Sequence, residues 1–255
     1  MPPFGLAILL GAGPNTASGI ARILASPSHG NLAVALLSRT GDPSLASTLS
    51  TSSNGGTLHA FKADTSAASL QRAFAEIKSH PAFHNLPLKL AIWNIKHSHK
   101  VPFEEETSER FEESLRVYVG GARNFAAECM KWMLAQGEAP REGAAMEKRG
   151  TLIFTGTLGA LRTNAHYAAY GAGRAGVRML AQSLAREYSA RGVHVVHAIA
   201  NGGITDSEEG ADGEKVRAGT RMRAESVGKT YLWLSQQECD LWVHELDMRP
   251  AAEKF

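Results

Sequence analysis

Thr157, Tyr170 and Arg174 stand at a spacing that could move a proton. Tyr170 and Arg174 lie four residues apart near the start of a predicted helix, so their side chains share one face. A phenol is a poor acid or base at neutral pH because its unperturbed pKa is near ~10. A fixed cation one helical turn away stabilises the phenolate. Thr157 follows the apolar run 151–155, and its hydroxyl could bind the same substrate oxygen. Taken alone, such a pair is more often a core aromatic beside a solvated surface charge.

Short apolar runs alternate with helical patterns along the whole chain and would position these residues. The candidate strands are 5–10, 32–38, 57–62, 88–94, 150–156, 193–200 and 240–246. The candidate helices are 16–26, 66–79, 107–136, 168–191 and 223–235. This alternation predicts an α/β fold, a Rossmann-type doubly wound parallel sheet of about seven strands with helices on both faces. We expect a single domain over 1–255, with 44–56 and 137–150 as surface loops that at most continue a helix end.

Composition narrows the classes of partner. The chain has 255 residues, of which 44% are hydrophobic, enough for one sizeable core. Its 27 basic and 25 acidic side chains are interspersed and give a net charge of +2, without the basic stripe that nucleic acid requires. We therefore expect a small-molecule substrate and no nucleic acid. Cys129 and Cys239 have neither metal nor disulfide spacing, so we expect buried, reduced thiols.

Targeting and metal signals are weak. The apolar run 4–10 lacks a charged leader and enters a glycine turn, which indicates a strand rather than a signal peptide. No run is long enough to span a membrane, so we expect a cytoplasmic protein. His97 and His99 lie in the loop after the fourth strand, where either could touch substrate. No third ligand stands near them, so we predict no metal site.

A glycine turn follows the first strand and opens directly into a helix. Such a turn lets the backbone approach a pyrophosphate, which then sits at the helix N-terminus. Gly11 and Gly13 begin the motif. Two registers remain for its end, one through Asn15 and one through Gly19 and Ile20 after a two-residue insertion. The competing interpretation is that these glycines serve only the turn.

The second strand ends in Ser38-Arg39, where a basic residue suits a 2′-phosphate better than the acidic residue that grips an unmodified ribose. The pattern predicts NADP(H) as the cofactor. Arg39 could equally be an exposed charge at a strand end.

The order of the glycine turn, Arg39, Asn94, Thr157, Tyr170 and Arg174 resembles the short-chain dehydrogenase/reductase family over essentially the whole chain. Similar in texture are fungal and bacterial members that begin with Gly-Ala-Gly-Pro and end in His-Glu-Leu-Asp-x-Arg-Pro, here 244–250. The resemblance implies that Tyr170 and Thr157 polarise a carbonyl while hydride arrives from the nicotinamide. Arg174 replaces the family's lysine and Thr157 its serine.

The resemblance also assigns the remaining positions. These are Asp64 and Thr65 beside the adenine, Asn94 at the family's asparagine after the fourth strand, and Gly202, Ile204 and Thr205 around the nicotinamide. A helix-capping role explains Asp64 as well. Tyr118 stands at the catalytic asparagine, so the water relay of the family is altered or absent. Ile95 and Lys96 replace small residues against the cofactor.

Three functions follow, in different classes. The first is an NADP(H)-dependent oxidoreductase acting on a carbonyl or alcohol of a secondary metabolite. The second is a non-redox enzyme that uses Thr157, Tyr170 and Arg174, either similar to halohydrin dehalogenases, which need no nucleotide, or an isomerase, cyclase or dehydratase. The third is a catalytically silent binding or scaffold protein, for which Tyr170 would be dispensable.

The substrate lid and the oligomeric state complete the expectations. Segment 205–223 is short and polar, and by resemblance forms a mobile lid over an open pocket that suits a bulky substrate. The helices 107–136 and 168–191 carry Leu115, Phe125, Met179 and Leu184, more apolar surface than one sheet face needs. We therefore expect a homodimer or homotetramer.

Overall fold

The computed structural model describes residues 1–137 and 145–253. Its strands are β1 Leu6–Leu10, β2 Ala33–Ser38, β3 Leu58–Lys62, β4 Leu88–Trp93, β5 Gly150–Gly156, β6 Val193–Ala200, β7 Ile204–Thr205, β8 Met222–Arg223 and β9 Glu245–Met248. Its α-helices are α1 Thr16–Ala25, α2 Pro43–Ser52, α3 Ala67–Ser79, α4 Ser108–Leu115, α5 Gly121–Leu134, α6 Ala168–Tyr188, α7 Gly210–Arg217 and α8 Ala224–Gln236. A π-helical turn, Arg116–Gly120, joins α4 to α5.

Seven strands in the described residues form one parallel sheet in the order β3-β2-β1-β4-β5-β6-β9. The helices α3, α5 and α6 pack on one face of the sheet, and α1, α2 and α8 pack on the other. The doubly wound α/β fold is therefore confirmed. The strand order reverses between β1 and β4, and in such sheets ligands bind beyond the carboxyl ends of the strands at this point.

The helices α1 and α8 touch closely because small residues face one another. A Cβ on Gly19 would lie 2.4 Å from the Cβ of Ala224, and a Cβ on Gly228 would lie 3.0 Å from the carbonyl oxygen of Gly19. These separations leave no room for a larger side chain at Gly19. This packing fixes the start of α1 relative to the segment that follows β6.

The prediction that 44–56 is a surface loop is wrong, because most of this segment forms the helix α2. Asp42 caps that helix, accepting a hydrogen bond from the Ser44 amide at 2.8 Å, and Pro43 occupies the first turn. Ala46 and Leu49 are buried against the sheet. The Ser- and Thr-rich composition hid an amphipathic helix. In the other expected loop, 145–149 has no helix or strand, and 138–144 lies outside the described residues.

Two element boundaries also differ from expectation. The helix expected at 107–136 is divided by the π-helical turn. The strand expected at 240–246 begins only at Glu245, since the polar groups of Val243 are satisfied elsewhere: its amide donates to Gln237 Oε1 (3.1 Å) and its carbonyl accepts from His194 Nε2 (2.9 Å). An apolar run whose backbone is paired by side chains does not need a neighbouring strand.

Other expectations have mixed outcomes. Cys129 is buried, and burial raises the pKa of its thiol well above the usual range. Cys239 is only half-buried, because it lies in the surface turn after α8. Phe125 belongs to the core, whereas Met179 is 51% exposed on α6, so homo-oligomer formation stays a prediction. No helix among the described residues is long and apolar enough to cross a membrane.

His194 makes stability depend on pH. The imidazole is fully buried on β6, stacks on Trp242 with ring centroids 5.0 Å apart, and burial lowers its pKa to about 4 from 6.5. Below about pH 6.5 the unfolded chain therefore binds a proton at His194, which the folded chain binds only near pH 4. The contribution of His194 to the free energy of unfolding is fully present above pH 6.5 and is lost as the pH falls towards 4. The difference corresponds to about 3 kcal/mol.

We predict that His194→Gln, which keeps a donor for the Val243 carbonyl, loses less unfolding free energy than the wild type between pH 7.5 and pH 4.5. Urea denaturation of both proteins at the two pH values measures this, and the difference between them cancels contributions from carboxyl groups. Equal losses in both proteins would show that His194 is not the group responsible.

Candidate active site

The hydroxyl groups of Thr157 and Tyr170 meet at the carboxyl edge of the sheet. Thr157 directly follows β5, and Tyr170 lies in the first turn of α6. Their oxygen atoms are 2.6 Å apart, so one donates a hydrogen bond to the other. Two hydroxyls at this separation can bind a single carbonyl or alcohol oxygen between them.

Arg174 follows Tyr170 by one turn and is 4% exposed. Its guanidinium carbon lies 4.8 Å from the centroid of the Tyr170 ring and 4.0 Å from that of Tyr118. Burial lowers its pKa to about 10, which leaves it cationic at neutral pH. No carboxylate of the described residues pairs with it, and its Nε has no hydrogen-bond partner there. A buried, unpaired cation favours negative charge on neighbouring oxygens.

Tyr118 is the hydrogen-bond partner of Arg174, whose Nη1 donates to the Tyr118 hydroxyl. The ring is buried, and its hydroxyl donates a long bond, 3.5 Å, to the Thr155 carbonyl. Tyr118 lies within the π-helical turn, and such turns are frequent at functional sites. At the position where the family resemblance implies a catalytic asparagine, the chain thus carries a phenol that binds the Arg174 guanidinium.

The glycine turn lies where the strand order reverses. Gly11 has φ +93°, and a Cβ there would be 2.3 Å from the carbonyl oxygen of Asn94, so only glycine fits. Asn94 ties the two strand ends together, with its amide bonded to the Leu10 carbonyl (2.8 Å) and its Nδ2 to the Gly11 carbonyl (3.4 Å). A Cβ on Gly13 would meet no atom within 4 Å, which leaves open space above the turn.

Asn15 precedes α1, but its side chain does not cap the helix. Its Oδ1 accepts from the Asp206 amide at 2.9 Å, and its Nδ2 donates to the Ile204 carbonyl at 3.4 Å. The first amides of α1 are therefore left without a side-chain acceptor, the condition in which a helix N-terminus binds phosphate.

Gly19 and Ile20, the alternative end of the glycine motif, do not face the cleft. They lie inside α1, where Gly19 packs on Ala224 and Ile20 is fully buried against the sheet. The helix begins at Thr16, so an insertion placing Gly19 in the motif would put it in the packing face. This packing favours the register that ends the motif at Asn15, and a contact of Gly19 or Ile20 with a cofactor stays a prediction.

Ser38 and Arg39 end β2 on the same edge. Ser38 Oγ accepts from the Gly41 amide at 3.0 Å and shapes the turn. Arg39 is exposed, and its side chain makes no hydrogen bond or ion pair with the residues that the structure describes. An unpaired guanidinium beside the cleft is available to an anion.

Asp64 and Thr65 follow β3. Asp64 Oδ1 accepts from the Ser66 amide at 2.7 Å, and hydrogen bonds from Ser66 lower the pKa of the Asp64 carboxyl. Thr65 offers its carbonyl to Asn124 Nδ2 at 3.2 Å. Ser66 and not Asp64 is the N-cap of α3, and the Asp64 carboxylate organises the turn that precedes it.

The segment after β6 forms a structured lid, defined here as 205–223. Gly202 has φ +138°, and Ile204 and Thr205 form β7, which pairs with β8 at the far end of the lid. Thr205 Oγ1 accepts from the Ser207 amide at 3.1 Å and donates to Asp212 at 3.4 Å. The lid is therefore folded on itself around α7.

Arg22 of α1 holds the lid in place through an ion pair with Asp206. It binds both oxygens of Asp206 and donates to Glu225 at 2.9 Å. Sequence reasoning missed these residues, and no local signal marks them because Arg22 and Asp206 are 184 positions apart. In the structure the lid is anchored through Arg22 and Asn15, and its expected mobility and open pocket stay predictions.

The histidines of the loop after β4 have different surroundings. Burial, then the neighbouring His99, lowers the pKa of His97, and the positive charges of Arg174 and Arg39 act in the same direction. His97 thus lies within electrostatic reach of both ends of the cleft. His99 Nε2 is 2.7 Å from Glu106 Oε2. Among the described residues no group of three metal-ligating side chains occurs, and the absence of a metal site stays a prediction.

Known proteins share this architecture. One similar structure is a short-chain dehydrogenase from Rhodopseudomonas palustris, with 24% identity, covering 98% of this chain and 100% of that one, and a TM-score of 0.75. Another is a 3-oxoacyl-[acyl-carrier protein] reductase from Brucella melitensis, with 18% identity, full coverage of both chains and a TM-score of 0.79.

A third is an alcohol dehydrogenase from Thermococcus sibiricus complexed with 5-hydroxy-NADP, with 18% identity, 98% coverage of both chains and a TM-score of 0.77. At these identities the likenesses establish the fold. The family model described as short chain dehydrogenase matches residues 7–214, most of the chain. The chain therefore belongs to the short-chain dehydrogenase family.

Proposed function

We propose that this chain is an NADP(H)-dependent oxidoreductase that interconverts a carbonyl and an alcohol on a small molecule, which we take to be a secondary metabolite. The observation that carries the proposal is the 2.6 Å contact between the hydroxyls of Thr157 and Tyr170, beside a buried cation and next to the glycine turn. Family membership supports the oxidoreductase class.

The residues present fit a dinucleotide. The open space over Gly13, the uncapped start of α1 and the unpaired Arg39 would hold the pyrophosphate and the 2′-phosphate. Asn94 and Thr205 lie at the edge where the nicotinamide would be held. Gly202 and Ile204 would supply backbone contacts there. When bound, the nicotinamide supplies or accepts the hydride.

Side chains of the protein itself carry out the proton transfer. Thr157 and Tyr170 donate hydrogen bonds to the substrate oxygen, which orients the carbonyl and stabilises the charge that develops on it. Tyr170 gives its hydroxyl proton in reduction and recovers it in oxidation. Arg174, held by Tyr118, stabilises the phenolate left behind. Tyr118 stands where the resemblance to the family places the asparagine of the water relay, so the relay that returns the proton is altered or absent.

Tyr170→Phe removes one hydroxyl and is expected to lower turnover by about 10²–10⁴-fold with folding intact, because the proton donor is lost. Steady-state NADPH oxidation with a panel of ketones and aldehydes measures this. Tyr167→Phe is the matched control, since its ring lies 5.5 Å from that of Tyr170, and it should retain activity. Unchanged turnover in Tyr170→Phe would remove both mechanisms that use Tyr170 and leave chemistry that depends on the shape of the cavity alone.

Arg39→Asp should weaken NADPH binding by about 1–3 kcal/mol, because a charge-assisted contact to the 2′-phosphate becomes repulsive. Binding of NADH, which lacks that phosphate, should not weaken. Titration calorimetry with both nucleotides measures the change, and Lys229→Asp on α8 is the control for reversing one surface charge. Equal affinities for NADPH in the wild type and Arg39→Asp would place Arg39 in solvent.

A non-redox reaction is the second candidate. It is favoured because Arg174 is buried without a carboxylate partner among the described residues. A cation without a carboxylate can stabilise a phenolate that removes a hydroxyl proton from a substrate without any nucleotide. Ile95 and Lys96, larger than the residues that usually face a nicotinamide, point the same way.

Arg174→Lys separates the two candidates. A reductase should keep turnover within about tenfold, because lysine still supplies a cation to Tyr170, whereas nucleotide-free chemistry should lose the planar group that stacks between two phenols. Turnover of the substrate with and without NADPH is the measurement. If the single variant is inactive, the double variant Arg174→Lys/Tyr118→Asn, which gives the lysine a smaller partner, should recover activity in a reductase; its failure with an intact fold supports the non-redox candidate.

A further inference from the structure

His197 is a buried imidazole on β6 that no step of the proposed reaction uses. The register of β6 and β9 places it directly opposite Glu245, and its Nδ1 lies 3.0 Å from Glu245 Oε2. An ionised carboxylate can only accept a hydrogen bond, so Nδ1 carries the proton and Nε2 is the bare nitrogen. Nε2 is buried and has no hydrogen-bond partner in the described chain.

The imidazole ring fills the space left by Gly156. A Cβ on Gly156 would lie 2.2 Å from His197 Nε2, far closer than real side chains approach. The register of β5 and β6 places His197 opposite Phe154, so the ring leans diagonally over the residue two positions along. Gly156 is the last residue of β5, and Thr157 follows it. The ring therefore rests on the peptide that leads into the Thr157 hydroxyl.

Glu245 is itself held by the helix that carries the tyrosine. Arg178 lies one turn after Arg174 on α6 and binds Glu245 through two parallel hydrogen bonds, of 2.7 Å from Nε and 2.8 Å from Nη2. These bonds lower the pKa of the Glu245 carboxyl and keep it ionised. The chain of contacts from Arg178 through Glu245 to His197 thus connects α6 with the end of β5.

We propose that His197 is a positioning residue: Glu245 and Arg178 fix its ring in one tautomer and orientation, and the ring holds the end of β5 so that the Thr157 hydroxyl meets Tyr170. Glu245 lies in the 244–250 segment, to which the site gives no other role. The proposal rests on the proposed oxidoreductase function. Displacements of about 1 Å at a reacting group can lower turnover about 10²-fold, which makes such support consequential.

The first test is His197→Ala, which should lower kcat for NADPH-linked reduction by about tenfold or more, while the dissociation constant for NADPH stays within about twofold. His194→Gln is the matched control, because it alters another buried histidine of β6 that contacts Trp242 rather than the site. A merely structural role would reduce stability in both variants and kcat in neither. Glu245→Gln should lower kcat in the same direction without creating a core cavity.

The contact with Gly156 is tested by a double-mutant cycle. Gly156→Ala should lower kcat because its methyl group strikes the ring, and the same change should cost at least about fivefold less in the His197→Ala background, where the ring is gone. Additive effects of the two substitutions would overturn the proposal, as would a His197→Ala enzyme with the kcat of His194→Gln.

Two measurements do not depend on activity. Imidazole ¹⁵N spectra should show His197 protonated at Nδ1 in the wild type, and amide hydrogen exchange at Thr157 should accelerate in His197→Ala but not in His194→Gln. Protonation at Nε2 instead, or equal exchange at Thr157 in both variants, would overturn the positioning role. Absence of hydride transfer in the wild type with these two results intact would instead remove the proposed function.

Discussion

The buried guanidinium of Arg174 is the constraint on which the site depends. Removing such a cation from water costs several kcal/mol unless hydrogen bonds and opposite charge compensate. The Tyr118 hydroxyl and the faces of two phenol rings offset part of this cost. No carboxylate of the described residues pairs with Arg174 to offset the rest. An oxygen that becomes negative beside Arg174 during a reaction would offset the rest of this cost.

The architecture brings the partners of this cation together from distant parts of the chain. The π-helical turn between α4 and α5 presents Tyr118 from one side, and the first turns of α6 present Tyr170 and Arg174 from another. Thr157 arrives from the end of β5. Parallel strands all end at the same edge, so the segments that follow β4 and β5 begin beside the site. The side chains that could carry out chemistry therefore lie together at one edge of the sheet and not in its interior.

Much of this edge follows from sequence periodicity. The apolar runs place six of the seven sheet strands within a residue or two, and the Tyr-x-x-x-Arg spacing places two side chains on one helical face because the helix repeat is local. What escapes prediction depends on long-range packing or on side chains that replace backbone partners. Gly19 in the α1–α8 contact and the late start of β9 are examples. The helix α2 was hidden by serine and threonine, which favour loops unless a cap such as Asp42 is recognised.

The position of Tyr118 shows most clearly why motif spacing alone gives an incomplete site. Spacing identifies Tyr118 as a replacement for asparagine, but only the packed structure shows that it pairs with Arg174, 56 residues away. The two phenols then have different partners: the Tyr170 hydroxyl meets Thr157, and the Tyr118 hydroxyl meets the cation. Arg174 thus donates a direct hydrogen bond to the buried Tyr118 hydroxyl. Its influence on Tyr170 acts through the ring face, 4.8 Å from the guanidinium carbon, and through space.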